Sequence, residues 1–170
     1  MAVRSPIGNS FAGMNPASLA DIKSALKNQD SKELSELVLR LARYKKENKE
    51  LLSFLLFHDA DLPGYLREVK EELDEVFADM NKNSVYLAKK TIRKALRLAN
   101  KHIRYTASKE AEIELLLHFC VSLKGSKLPL QKSAALLNLY NGQLKKVRAA
   151  ISTLHEDLQY EYVRELERLE

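Results

Sequence analysis

Residues 82–104 read KNSVYLAKKTIRKALRLANKHIR, and this stretch decides the fold class. It holds eight basic residues and no acidic residue. A helix advances by about 100° per residue, so the last seven of these bases fall in one arc and apolar residues fill the opposite arc. The seven are Lys89, Lys90, Arg93, Lys94, Arg97, Lys101 and Arg104. The stretch therefore predicts an amphipathic helix over about residues 84–105, with one buried face and one basic face.

The whole composition agrees with an all-α protein. Of 170 residues, 45% are hydrophobic and 30% are charged, which is typical of a globular chain. Five glycines and four prolines leave little material for hairpins and tight turns. We predict about seven to eight helices, arranged as one all-helical domain over residues 17–170. Residues 1–16 are predicted to form a flexible N-terminal arm.

Several helix boundaries can be predicted from capping residues. Ser18 and Asp30 stand three residues before Asp21 and Glu33, which is the spacing of a capping box. Ser108 is predicted to cap a later helix that ends near Gly125. A short helix then opens at Pro129, a turn follows at residues 140–142, and a long last helix covers residues 143–168. The apolar spacing of that last helix is heptad-like, and its apolar surface continues beyond the heptad run at Tyr160, Tyr162, Val163, Leu166 and Leu169. This extension predicts self-association, and the alternative is that the helix caps the chain's own superhelix.

A short internal repeat suggests how the helices stack. Leu39-Arg40-Leu41-Ala42 recurs as Leu96-Arg97-Leu98-Ala99, and an apolar helix follows each copy, at 51–58 and 115–119. In this respect residues 31–123 resemble HEAT or armadillo-like helical repeat folds, which are α-α superhelices. The resemblance implies a scaffold that presents helix faces to a macromolecular partner. A compact helical bundle is the alternative.

The net charge of +5 is unevenly spread. Residues 59–81 carry eight acids and two bases, whereas residues 82–110 carry nine bases and one acid. Three interpretations of the basic face follow. It pairs with the acidic helix predicted over residues 64–80, it tracks phosphates of a nucleic acid, or it meets an acidic protein or an anionic membrane surface. Small residues such as Ala95 favour helix packing over membrane insertion.

A second hint of nucleic-acid binding lies in residues 130–149. A short helix, a turn and an amphipathic helix in this order resemble a helix-turn-helix, with Asn138 near the position where glycine is usual. Lys145, Lys146 and Arg148 would then stand early in the recognition helix, where base and phosphate contacts are made. The alternative is an ordinary corner between two helices.

Motifs that carry chemistry are missing from the sequence. It contains no paired Cys/His metal motif and no glycine-rich phosphate loop. His118 and Cys120 are two residues apart, so on a helix they diverge and cannot form a nucleophile–base pair. We therefore predict no enzyme, no cofactor and no metal site. The sequence has no run of 18 apolar residues, so we expect no membrane span and a cytoplasmic location.

The sequence thus favours a non-enzymatic scaffold or protein-interaction domain whose basic face binds an acidic protein partner. The alternative is a nucleic-acid-binding protein that uses the same face, with further contacts from residues 145–148. Homo-oligomerisation through the C-terminal helix is also expected.

Overall fold

The computed structural model describes residues 15–169. This part of the chain is all-helical and contains no strand, which confirms the predicted all-α class. Its eight α-helices are α1 (Leu19–Leu26), α2 (Ser31–Tyr44), α3 (Lys46–Phe57), α4 (Leu62–Ala78), α5 (Val85–Thr106), α6 (Lys109–Gly125), α7 (Ala134–Ile151) and α8 (Glu156–Glu167), with a 3-10 helix at Leu130–Lys132. The predicted arm at residues 1–16 lies almost wholly outside the described residues.

The predicted capping residues do begin their helices. Ser18 accepts a hydrogen bond from the backbone N–H of Asp21, and Asp30 forms a reciprocal capping box with Glu33. Ser108 caps α6, and the carboxylate of Asp61 caps α4. Each cap satisfies a backbone N–H that has no partner inside its helix, which is why these polar residues fix the helix starts.

The contacts within the described residues separate the chain into two compact units, with the boundary between residues 49 and 50. The single domain predicted over residues 17–170 stays a prediction, because α3 continues across this boundary. In the first unit, neither α1 nor α2 has a buried residue. The helix α2 nevertheless has apolar side chains at helical spacing, and Leu37, Val38 and Leu41 are exposed.

The second unit is built around α6. This helix contacts α4 and α5, which precede it in the sequence, and α7 and α8, which follow it. Eight of its 17 residues are buried, including Ile113, Leu116 and Phe119, while a polar stripe with Glu114 and His118 stays partly exposed. Because most of its apolar residues are buried against four other helices, α6 forms the centre of the core.

In the C-terminal third, the structure contradicts the predicted turn and the predicted last helix. Residues 140–142 form no turn, because they lie inside the continuous helix α7. Tyr140 is buried and its hydroxyl donates to the carbonyl oxygen of Leu169, so core packing holds this stretch helical despite Asn141 and Gly142. The long last helix over residues 143–168 is also wrong, since α7 ends at Ile151 and α8 begins at Glu156.

The break between α7 and α8 removes the continuous heptad stripe. Leu144, Val147 and Ile151 are buried in the core of the second unit. Self-association through the C-terminal helix stays a prediction, and it would depend on exposed side chains of α8 such as Tyr160 and Val163. Within residues 15–169, no helix is both long and apolar enough to cross a membrane.

Candidate interaction surface on helix α5

The helix α5 is an amphipathic rod of 22 residues. At about 1.5 Å per residue it is roughly 33 Å long. Ser84 caps the first turn of α5. The helix stops after Thr106, because Ala107 has a left-handed backbone conformation (φ 49°). The buried side includes Ala88, Ile92 and Ala95, whose small or compact side chains let the core helices come close.

The opposite side of α5 carries the basic face, by which we mean Lys89, Lys90, Arg93, Lys94, Arg97, Lys101 and Arg104. Five of these residues are exposed, while Lys89 and Lys101 are half-buried. The predicted arc of bases is therefore a solvent-facing surface of one helix. Lys90 also lies over the ring of Tyr86, with its Nζ 5.2 Å from the ring centroid.

Only Lys101 of the basic face forms an ion pair within residues 15–169. Its Nζ lies 2.8 Å from Oε2 of Glu50, which also accepts a hydrogen bond from the Tyr105 hydroxyl at 3.1 Å. The other six cations have no carboxylate oxygen within 4 Å in the described part of the chain. The hypothesis that the basic face is neutralised by the acidic helix α4 is thus wrong at the level of direct ion pairs.

Acidic side chains nevertheless border the basic face. A surface depression of about 400 Å³ is lined by Glu72 and Glu75 of α4, by Asp79 just after this helix, and by Lys94, Arg97 and Lys101 of α5. The acidic and the basic side chains line the same depression, but no acid of this set forms an ion pair with a base of this set. A second depression, of about 420 Å³, is lined by Lys90, Thr91, Arg93, Lys94 and Arg97.

A buried polar cluster lies beside Lys101. His102 Nδ1 and the Tyr65 hydroxyl are 2.5 Å apart, and His102 Nε2 lies 3.8 Å from Glu72 Oε2. Burial, helped by the Lys101 ammonium, lowers the pKa of His102 to about 4, although Glu50 acts in the opposite direction. Burial raises the pKa of Tyr65 to about 12, and Glu50 adds to this effect. Both side chains are therefore neutral at pH 7.

The sequence alone does not reveal the groups that His102 meets. Tyr65 and Glu50 lie 37 and 52 positions before His102 in the chain, so no local pattern connects them. Only the packing of separate helices brings these groups together. The cluster lies beside Lys101, at the edge of the basic face that borders the core.

The alternative contact residues Lys145, Lys146 and Arg148 do not form a recognition helix. They lie in the second half of α7, and the turn that would place them at a helix start is absent. A helix-turn-helix at residues 130–149 is therefore wrong. Lys145 and Arg148 line a separate, larger depression, whereas Lys146 is exposed outside it.

The other candidate groups form structural contacts. His118 Nε2 lies 2.8 Å from Asp74 Oδ1, and the Ser122 hydroxyl donates to the same oxygen at 3.2 Å. His118 and Ser122 thus both contact the Asp74 carboxylate and do not contact each other. In a catalytic triad the hydroxyl would instead bond to the histidine, and the histidine to the carboxylate. Cys120 is buried, and burial raises its pKa to about 12. Within residues 15–169, no cluster of three His, Cys, Asp or Glu side chains is placed to hold a metal ion.

Comparison with known proteins adds no relative to this picture. No protein-family model, no curated protein and no solved structure matches the chain.

Proposed function

We propose that this chain is a non-enzymatic interaction domain that binds an acidic protein surface through the basic face of α5. The observation that supports this proposal is the lack of an ion pair, within residues 15–169, for six of the seven cations. Like charges four residues apart on a helix repel one another, and the basic face contains such pairs in Lys90 with Lys94 and Arg93 with Arg97. Carboxylates of a partner would relieve this repulsion and steer its approach.

The neighbouring acidic row favours a protein over a nucleic acid. Glu72, Glu75 and Asp79 share a depression with the bases of α5. A phosphate backbone carries only negative charge, so these carboxylates would repel it wherever it crossed them. A protein surface can present acids to the basic face and bases to the acidic row, and that complementarity gives specificity.

Photo-crosslinking from α5 tests this proposal. Tyr86 and Tyr160 are each 68% exposed and each lies near a cation, Lys90 or Arg164, so they form a matched pair of probe sites. A photoreactive phenylalanine analogue at position 86 should capture a protein in cells that express the chain. The same analogue at position 160 should not capture that protein.

Charge reversal on the basic face is the specificity control. Arg93→Glu with Arg97→Glu should abolish the crosslink and weaken binding of the purified partner at least about tenfold. A crosslink that survives this reversal would contradict the proposal. So would a crosslinked species that nuclease digests and protease does not.

The reversed variant should fold normally, since neither arginine forms an ion pair in the part of the chain that the structure describes. We expect its free energy of unfolding to change by less than about 1 kcal/mol, as measured by urea denaturation. Lys101→Glu should cost more, because it places a second negative charge beside Glu50. If the double reversal cost as much as Lys101→Glu, the two arginines would be part of the fold and not a free surface.

Nucleic-acid binding is a second candidate, and the depression lined by Lys90, Thr91, Arg93, Lys94 and Arg97 favours it. Lysine, arginine and hydroxyl side chains are common phosphate contacts. Fluorescence anisotropy with labelled single-stranded and duplex probes, at low and physiological salt, tests it. Sub-micromolar binding with a linear log–log salt dependence would support this candidate, and no binding at low salt would reject it.

A further inference from the structure

A spacious depression lies away from α5, on α7. Its volume is about 920 Å³, within the range of about 300–1,000 Å³ typical of small-molecule sites. Four parts of the chain surround it: the end of α6, the segment at 128–131, one side of α7, and Leu169. Residues far apart in sequence thus form one concave surface.

The floor of this depression is apolar. It is formed by Leu128, Pro129, Leu130, Leu137, Tyr140, Leu144 and Leu169. Tyr140 and Leu144 are buried, and the Tyr140 hydroxyl is already bonded to the carbonyl oxygen of Leu169. This hydroxyl therefore fixes the shape of the floor, and the exposed remainder offers apolar contact to a ligand.

The rim is positively charged. Lys124, Lys145 and Arg148 line the depression, and among residues 15–169 no acidic side chain does. The Lys124 ammonium donates to the carbonyl oxygens of Arg168 and Leu169 at 3.0 and 3.2 Å. These bonds hold the ammonium in place without neutralising its charge. Lys145 is exposed and forms no ion pair in the described residues.

We infer that this depression binds an amphipathic carboxylate, with an acyl chain on the apolar floor and the carboxylate against Lys145 and Lys124. An apolar cavity with a few oriented polar groups at its edge is the usual form of a ligand site. The cationic rim selects a negatively charged head group. The chain's own residues 1–14 do not complement it, since they include Arg4 and no acidic residue.

Calorimetric titration with dodecanoate below its micelle concentration tests this inference. Dodecanoate should bind the full chain at one site. Dodecanol should bind about tenfold more weakly, and dodecyltrimethylammonium should not bind, because the rim repels its charge. Lys145→Glu should weaken dodecanoate binding about tenfold by placing a carboxylate at the rim.

The adjacent Lys146 provides the matched control, because it is exposed on the same helix but does not line the depression. Lys146→Glu should change the affinity less than about twofold. Arg93→Glu with Arg97→Glu should also leave the affinity unchanged, which separates this site from the basic face of α5. Circular dichroism checks that each variant keeps its helix content.

Four results would overturn the inference. One is the absence of dodecanoate binding, and another is equal binding of the cationic and anionic detergents. The third is an equal loss from Lys145→Glu and Lys146→Glu, which would indicate general attraction to a basic protein. Binding of an acidic leucine-containing peptide in place of dodecanoate would reassign the depression to a protein partner and would also reject the inference.

Discussion

At the residue scale, His102 links the core to the pH dependence of stability. Its side chain is 12% exposed, and its pKa is lowered to about 4, against an ordinary value of 6.5. The unfolded chain therefore binds a proton that the folded chain does not, between about pH 6.5 and pH 4. The stabilisation is complete above pH 6.5 and is lost as the pH falls through this window.

We expect acidification from pH 7 to pH 4 to lower the free energy of unfolding by about 3 kcal/mol through His102 alone. Urea denaturation at several pH values measures this loss. His102→Gln should flatten the pH dependence in this window. His155→Asn is the matched control, because His155 is exposed and asparagine is also a good helix N-cap. Equal pH profiles for wild type and His102→Gln would contradict the assignment.

Cys120 gives a second test at the residue scale. Its thiol is fully buried in α6, and burial raises its pKa to about 12. Because the thiolate is the reactive form, alkylation by iodoacetamide at pH 8 should be at least about 100-fold slower in the native protein than in urea. Mass spectrometry of the labelled chain measures both rates. Rapid labelling of native protein would show that α6 opens or that its packing differs.

At the scale of the element, Gly142 distinguishes a continuous α7 from a turn. A Cβ added to Gly142 meets no heavy atom within 4 Å, and Gly142 lies in the interior of α7. Gly142→Ala should therefore raise the free energy of unfolding by about 0.5–1 kcal/mol, because alanine favours the helix more than glycine does. Thermal denaturation followed by circular dichroism measures the change.

Gly64 is the contrasting position in α4. A Cβ there would collide with the carboxylate of Asp61, which caps this helix. Gly64→Ala should displace the cap and lower the free energy of unfolding by about 1 kcal/mol. If Gly142→Ala destabilised the protein as well, the turn expected from the sequence at residues 140–142 would regain support.

The same elements show what the sequence could predict. Caps at Ser18, Asp30 and Ser108 are local signals, so the starts of α1, α2 and α6 could be predicted. The false turn at residues 140–142 arose because Asn and Gly also favour turns, whereas burial of Tyr140 keeps them helical. The break between α7 and α8 could not be predicted, because the heptad-like apolar spacing continues across it. There the Ser152 and Thr153 hydroxyls bond back to carbonyl oxygens at the end of α7.

The candidate surfaces were predictable to different degrees. One helix carries the whole basic face, so its periodicity was sufficient to find it. The depression on α7 combines Lys124, Leu130 and Leu169 with one side of that helix, and these residues meet only after folding. Sequence spacing cannot reveal a site that tertiary packing assembles.

At the scale of the whole molecule, the two units differ in the burial that holds their helices. The helices α1 and α2 have no buried residue, whereas eight residues of α6 are buried. Short helices without tertiary packing are marginal in water, so backbone amides of α1 and α2 should open easily. Those of α6 should exchange only when the second unit unfolds.

Hydrogen exchange with mass spectrometry measures this difference. We expect peptides from α1 and α2 to exchange within seconds to minutes and peptides from α6 to be protected for hours at neutral pH. Exchange of α2 as slow as that of α6 in the isolated protein would contradict this expectation. If α2 became protected only when a partner was added, the exposed Leu37, Val38 and Leu41 would belong to that contact.

The central position of α6 also determines what happens to chains that are damaged or incompletely folded. Residues 115–123 of this helix contain no Asp, Glu, Lys or Arg, and six of these nine residues are buried by the rest of the second unit. A damaged or incompletely folded chain would display this uncharged run, which has the composition of a self-aggregating segment. Variants that loosen the second unit should therefore accumulate in the insoluble fraction of cells or depend on chaperones, and should not persist as soluble unfolded protein.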